Sequence, residues 1–274
     1  RTSSGHLVAG RVIIATGGRS VPKTGSDGVG YGFARHLGHE VTPLFPSLVP
    51  LLLPEEHWLT GLRGISQDVE LRLREGDGRV LETVRGSMLF THFGISGPAV
   101  LDISRSWIEA RNRGIAVRLE VSFVPDGRFE MIEREWVETQ TAAPRATVVS
   151  MLRRVLAERL AGALAERGAG VDPRITLAHL GREQRRALVC ALVELELPVT
   201  GDRGFDVAEV TAGGVPLEEI DSATMASRRC ERLFLCGEIL DVDGRIGGFN
   251  FQWAWASGRL AGISAARAAA AGRS

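Results

Sequence analysis

The sequence predicts an α/β protein whose strand–turn–helix layer opens the chain, is interrupted by an antiparallel β-rich part and then a helical part, and returns at the end. Three observations carry this. Leu7 to Ala15 is an apolar, β-branched run that stops at Thr16-Gly17-Gly18. Period-two alternation dominates the middle, with Val69, Leu71 and Leu73 against Glu70, Arg72 and Arg74. A second short apolar run, Arg232 to Cys236, leads through a glycine-rich turn into a helical stretch from Asn250 to Ala269. The implied parts are residues 1–45, 46–142, 143–204 and 205–274, the first and last belonging to one layer.

In chain order, a turn at Ser4-Gly5 precedes the opening run, which reads as a buried strand ending in a glycine turn. A Gly/Ser/Thr loop from Arg19 to Gly28 leads to a short helix from Gly30 to Leu37, stopped at Gly38. Pro43, Pro46, Pro50 and Pro54 then punctuate Leu48 to Leu53, which suits edge or crossover segments. Asp77-Gly78 marks a hairpin before Val80 to Val84, and Val117 to Phe123 alternates as another half-buried strand, so this part is an antiparallel sheet or small barrel. Val148, Leu152, Leu156, Leu160 and Leu164 recur every four residues as one helix, and Glu183 to Leu197 predicts another. Arg153, Arg154, Arg182, Arg185 and Arg186 read as solvated helix faces. Leu233 to Leu235, bounded by Gly237, reads as a buried parallel strand, and Ala265 to Ala271 as a low-complexity helical tail.

Composition narrows the function. At about 150 residues per domain, 274 residues make one large or two smaller domains, with 44% hydrophobic and 24% charged positions in ordinary globular balance. The 33 basic and 33 acidic residues cancel, which disfavours nucleic-acid or anionic-membrane binding through bulk charge. Lys23 is the only lysine, and the arginine excess with the Ala/Gly-rich tail reads as GC-rich coding. Because Lys23 follows Pro22 rather than a glycine, no P-loop exists. Cys190, Cys230 and Cys236 lack Cys-x-x-Cys spacing, so neither zinc nor disulfides are indicated, and a reducing, cytoplasmic compartment is expected. No apolar run approaches the roughly 18 residues of a membrane helix. The start at Arg1 carries neither a methionine nor a signal-peptide core and reads as a chain lacking its N-terminal segment.

Three segments carry candidate chemistry. Gly237-Glu238-Ile239-Leu240-Asp241-Val242-Asp243-Gly244 through Gly247-Gly248-Phe249-Asn250 joins a strand to a helix, where amide groups and the helix dipole favour negative charge. Gly247 and Gly248 let a ligand approach the backbone, and Glu238, Asp241 and Asp243 are acceptors for sugar-like hydroxyls. In Thr91-His92-Phe93-Gly94-Ile95-Ser96-Gly97-Pro98, Ser96 reads as an N-cap with Pro98 in the first turn, and His92 is a titratable group beside it. Ser96 lacks the Gly-x-Ser-x-Gly context of a hydrolase nucleophile. The third segment, Thr16 to Ser26, reads as a ligand cradle or an ordinary loop. No Gly-x-Gly-x-x-Gly occurs, and Gly28-Val29-Gly30-Tyr31-Gly32 comes nearest.

Ile14-Ala15-Thr16-Gly17-Gly18, Thr24-Gly25-Ser26, Gly38-His39, the Thr91–Pro98 run, Thr211-Ala212-Gly213-Gly214-Val215, the Gly237–Asn250 segment and Gln252 together resemble the aminoacetone-oxidase-like, BaiN-type family of FAD-dependent oxidoreductases. The resemblance spans Val12 to Gly262, with Phe249 where the family has usually tyrosine. It implies a partial Rossmann-type FAD-binding domain, interrupted by an antiparallel β-barrel-like substrate part and a small helical part, and lacking the N-terminal Gly-x-Gly-x-x-Gly unit. It implies FAD as cofactor, NAD(P)H as a candidate reductant and a small organic substrate, oxidised at an amine or C–H bond or reduced at an activated double bond. Ala15, Thr16, Gly17, Gly18, Gly237, Glu238, Asp241, Gly247, Gly248, Phe249 and Asn250 would hold the cofactor, while His92, Lys23, Ser96 and Thr211 would face the substrate. No metal, membrane or nucleic-acid partner is implied. Two other readings stay open: a catalytically silent half-protein that needs its own N-terminal segment, and a module holding an anion at its helix N-termini.

Overall fold

Two three-residue apolar strands, Val12–Ile14 and Leu233–Leu235, pair in parallel with Val12 opposite Leu233 and Ile14 opposite Leu235. In this computed structural model, which describes residues 5–271, they lie at one side of a four-stranded sheet completed by Ala226–Ser227 and Ile220–Asp221. The expected turn at Ser4-Gly5 falls partly outside the described residues, and the opening strand is shorter than the apolar run. The chain forms two compact units, residues 1–49 with 204–274, and residues 50–203. The β-rich and helical parts read separately from the sequence thus form one unit.

In the first unit the core gathers Ile14, Tyr31, Ala34, Leu233, Phe234, Leu235, Ile239 and Leu240. Helix Val29–His36 supplies Tyr31 and Ala34. The final helix, Phe249–Ala271, buries Ser257, Ala261 and Ala265, a stripe of three small side chains spaced four residues apart against both parallel strands. Small residues allow close approach, while Phe251 and Trp255 stack on each other at 6.0 Å and remain exposed.

A buried polar hub ties the first helix to the sheet. His39 Nδ1 lies 2.7 Å from Glu219 Oε2, and Ser227 Oγ lies 2.8 Å from His39 Nε2. The order Ser–His–Glu is that of a hydrolase triad, but Ser227 Oγ also accepts the N–H groups of Arg229 and Cys230. Its lone pairs are committed, so the hydroxyl donates to His39 and the imidazole donates to Glu219. The arrangement cross-links rather than attacks.

The second unit is built on a seven-stranded antiparallel sheet in the order Leu195–Leu197, Val117–Ser122, Ser66–Glu75, Val80–Phe90, Gly94–Ser96, Leu51–Leu52 and Gly201–Asp202. Val69, Leu71 and Leu73 are fully buried on one face, as alternation requires. The sheet is open among the described residues, not a closed barrel.

Four local expectations fail for physical reasons. Ser96 is not an N-cap: it pairs with Leu89 in the sheet, and helix Pro98–Asn112 is capped by Gly97 at φ +91°. The leucines from Val148 to Leu164 span two helices, Val148–Leu152 and Glu158–Ala163. A four-residue repeat drifts about 40° per step on a 3.6-residue helix, so a straight helix could not bury all five, and an extended Ala157 resets the direction. The helix expected from Glu183 to Leu197 ends at Val193, and Leu195-Glu196-Leu197 alternates as an edge strand before Pro198. Arg185, expected in solvent, is largely buried and donates to Gln140 beside Glu133 of helix Phe129–Ala142. Among the described residues no helix is long and apolar enough to cross a membrane.

The hub makes stability acid-sensitive. Burial alone would push the Glu219 carboxyl up, but hydrogen bonds from His39, Arg229 and the Glu40 backbone outweigh it and hold it below the ordinary 4.5. A depressed carboxyl stabilises the fold above its unfolded value and loses that contribution as the pH falls through its folded value. Glu219→Gln is therefore expected to cost roughly 1–3 kcal/mol at neutral pH. Thermal melts of both proteins should converge as the pH drops below about 4; a constant gap down the acid limb would contradict the assignment.

Candidate functional site

Parallel pairing brings two loops out of the sheet side by side: Ala15 to Gly18 follows Ile14, and Cys236 to Ile239 follows Leu235. Cys236 N–H donates to the Ile14 carbonyl, extending the register by one residue. Strand carboxyl ends of an α/β sheet are where ligands bind.

Glu238 ties these loops together. Its Oε2 accepts the Gly18 N–H at 3.0 Å, and its Oε1 accepts the Thr211 N–H at 2.6 Å. The Tyr31 hydroxyl donates to the Glu238 carbonyl. Burial pushes the Glu238 carboxyl up, against the downward pull of the two N–H bonds, and Asp243 adds a further upward push. Burial and the charges of Glu238 and Asp241 push the Tyr31 phenol far up, so it remains a neutral donor.

Thr211 lies in strand Val210–Ala212, which pairs with Phe45–Ser47. Its hydroxyl accepts the N–H groups of Arg19 at 2.8 Å and Ser20 at 3.1 Å. A Cβ on Gly18 would lie 2.5 Å from that hydroxyl oxygen, so only glycine fits beneath the turn. Thr211, expected on the substrate face, is fully buried and positions the loop.

The far wall is the start of the last helix. Gly237 N–H donates to Ser257 Oγ, while Trp253 Nε1 donates to the Gly237 carbonyl. Asn250 closes the preceding loop on both sides, accepting from Gly244 N–H at 2.8 Å and donating to its carbonyl at 2.9 Å. Gly247 and Gly248, at φ +124° and +86°, present bare backbone.

These segments enclose a cavity of about 590 Å³, bounded among others by Ala15, Gly17, Gly237, Glu238, Gly247, Gly248 and Asn250. That size lies within the roughly 300–1,000 Å³ of small-molecule sites. Other expected cofactor residues lie outside this lining. Thr16 turns a buried, unpartnered hydroxyl oxygen toward the close approach of Gly30. Gly18 sits under Thr211, Phe249 is half exposed beside Arg245, and Asp241 accepts the Thr42 hydroxyl at 2.9 Å. Asp243, read as a hydroxyl acceptor, receives Ser47. Lys23 is exposed in the short Pro22–Thr24 turn. His92, exposed and edge-on to Phe93, and Ser96 belong to the other unit.

Sequence reasoning missed Trp253, Phe251, Val21, Leu48, Val210 and Cys236, which also line the cavity. Trp253 was within reach: three residues after Asn250 and four before Ser257, it shares their helical face. Leu48 and Val210 carry no local signal. Among the described residues no cluster of His, Cys, Asp or Glu is arranged to hold a metal.

A family model described as HI0933-like protein Rossmann domain matches residues 1–264. The 3-dehydro-bile acid delta(4,6)-reductase of Clostridium scindens is 34% identical over 266 residues, 97% of this chain and 64% of that protein. Two proteins named ribosomal RNA dihydrouridine synthase are comparably similar. That of Haemophilus influenzae is 35% identical over 93% of this chain and 60% of its own length, and that of Escherichia coli 34% identical over 90% and 58%. The chain spans less than two thirds of each of these relatives.

Removing the Glu238 carboxylate strands two buried N–H groups, each worth about 1–3 kcal/mol. Glu238→Ala is expected to destabilise the protein by roughly 2–5 kcal/mol in denaturant titration, and Glu238→Gln, which keeps one acceptor oxygen, by less. Equal, sub-kilocalorie losses for both would mean the brace is not what orders the loops.

Proposed function

The chain belongs to the HI0933-like Rossmann family, and from that premise we propose that its glycine-walled cavity receives the flavin side of FAD in an oxidoreductase that reduces an activated carbon–carbon double bond. The single observation carrying the cofactor assignment is the cavity itself: side-chain-free walls at Gly17, Gly237, Gly247 and Gly248 admit a planar ring, in the position where α/β sheets bind ligands. The start of helix Phe249–Ala271 lines it, and its dipole favours negative charge on a bound group. Glu238 ties the loop at 15–18 to the loop at 236–239, and Asn250 closes the 244–250 loop, each through bonds to backbone. FAD, when bound, supplies the hydride chemistry, with NAD(P)H as the proposed reductant.

The double bond is argued from the relatives' names. One relative is named a delta(4,6)-reductase and two are named dihydrouridine synthases, names that both denote reduction of a carbon–carbon double bond. Such a reduction adds a hydride to one carbon and a proton to the other. For the proton we propose His92, whose imidazole can donate or accept one, with Lys23 and Ser96 as alternatives. A small organic substrate is favoured over an RNA uracil by the zero net charge, since RNA binding draws on surplus positive charge.

A second reading has its own observation. Among the described residues Val12–Ile14 has one strand neighbour and leaves Val12 and Ile13 substantially exposed, while the last helix exposes Phe251 and Trp255. A partner segment completing this sheet edge would cover them, and the chain would then hold flavin only in its presence.

Purified protein is expected to carry visible flavin absorbance, alone or once that segment is supplied; protein colourless in both states would overturn the reading. Gly248→Glu should lower flavin content at least tenfold while leaving the far-ultraviolet circular dichroism unchanged. His92→Gln should lower turnover on the order of a hundredfold with flavin content intact, measured by steady-state reduction of an enone substrate.

A further inference from the structure

A second cleft in the same unit, of about 550 Å³, shares no lining residue with the glycine-walled cavity. Its walls include Arg19, Asp27, Gly28, Tyr31, Arg35 and Thr42. Arg19 is held in place from two sides. Its guanidinium lies over the Phe205 ring, 4.4 Å from the centroid, and its stem crosses Gly28 so closely that a Cβ there would lie 2.6 Å from Arg19 Cγ. Gly28 also sits at φ +82°, so the chain is doubly suited to glycine at this point.

The planar guanidinium of an arginine matches a carboxylate or phosphate bidentately. Among the described residues, neither Arg19 nor Arg35 has an acidic side chain within ion-pair distance. Asp27, on the same wall, spends Oδ1 on the Val29 N–H. Helix Val29–His36 starts beside the cleft, with Asp27 accepting its first N–H, so the positive charge of the cleft rests on the two arginines. Two guanidiniums, one of them pre-ordered, match the planar, bidentate geometry by which arginine recognises oxyanions.

We propose that this cleft is an oxyanion-binding site, separate from the flavin cavity, that takes the phosphate or carboxylate group of a small ligand between Arg19 and Arg35. Tyr31 links it to the other site, because its ring lines the cleft while its hydroxyl donates to the carbonyl of Glu238. Occupancy at one site is thereby placed one side chain away from the brace of the other.

The test is calorimetric titration of the purified protein with inorganic phosphate, pyrophosphate, acetate and benzoate at low salt. Saturable binding that weakens with added salt is expected. Arg19→Gln and Arg35→Gln should each weaken it about tenfold or more, and Arg267→Gln, on an exposed face of the last helix, should leave it unchanged. Gly28→Ala should weaken it by displacing Arg19, with circular dichroism reporting whether the fold survives. Preference for phosphate and pyrophosphate identifies a phosphate-bearing ligand, and equal or stronger binding of benzoate an organic carboxylate. No saturable binding of any probe, or binding unaffected by both arginine substitutions, overturns the proposal.

Discussion

The carboxylate of Glu238 is the constraint on which the first unit's loops depend. Two parallel strands of three residues fix little beyond their own register. The loops that leave them are joined by a side chain that accepts N–H groups from Gly18, 220 positions away in sequence, and Thr211, 27 positions away. Acceptance by an ionised group makes such bonds shorter and stronger than neutral ones. Burial opposes ionisation, and the two donors oppose burial. The result is a polar brace that ties the segments of Gly18, Thr211 and Glu238 together beside the cavity.

The same economy recurs around the unit. Thr42 takes the Gly214 N–H and donates to Asp241. Asn250 spans the Gly244 peptide, and His39 joins Glu219 to Ser227. Each is a side chain completing the hydrogen bonds of irregular backbone, which must be satisfied once buried. Residues that a motif reading assigns to ligand contact, Thr211 and Asp241 among them, are thereby engaged in shaping the site.

Legibility in the sequence follows how far a signal has to reach. The hairpin at Asp77-Gly78, the alternating Val69–Leu73 strand and the parallel Leu233–Leu235 strand are written in residues two to ten positions apart, and they form as expected. The glycines of the cavity were readable because only glycine suits such backbone. Ser96 was misread because Pro98 marks a helix start without saying which residue caps it; the backbone of Ser87 lies too close for any side chain at Gly97, and that proximity is invisible locally. Arg185 looked solvated because its partners sit on another helix, 45 and 52 positions earlier. Leu48 and Val210 reach the cavity only because the strand at Phe45–Ser47 pairs with Val210–Ala212, a contact that no periodicity announces.

The central claim is that the walls at 15–18, 237–238 and 247–250 close around a flavin and that Glu238 ties the first two together. Hydrogen–deuterium exchange of the protein with and without FAD tests it most directly. The account predicts slowed exchange at Gly17, Gly18, Gly237 and the first turn of helix Phe249–Ala271, with the Ser66–Glu75 and Val80–Phe90 hairpin unchanged. Protection confined to other segments, or none at these walls under saturating FAD, would contradict it.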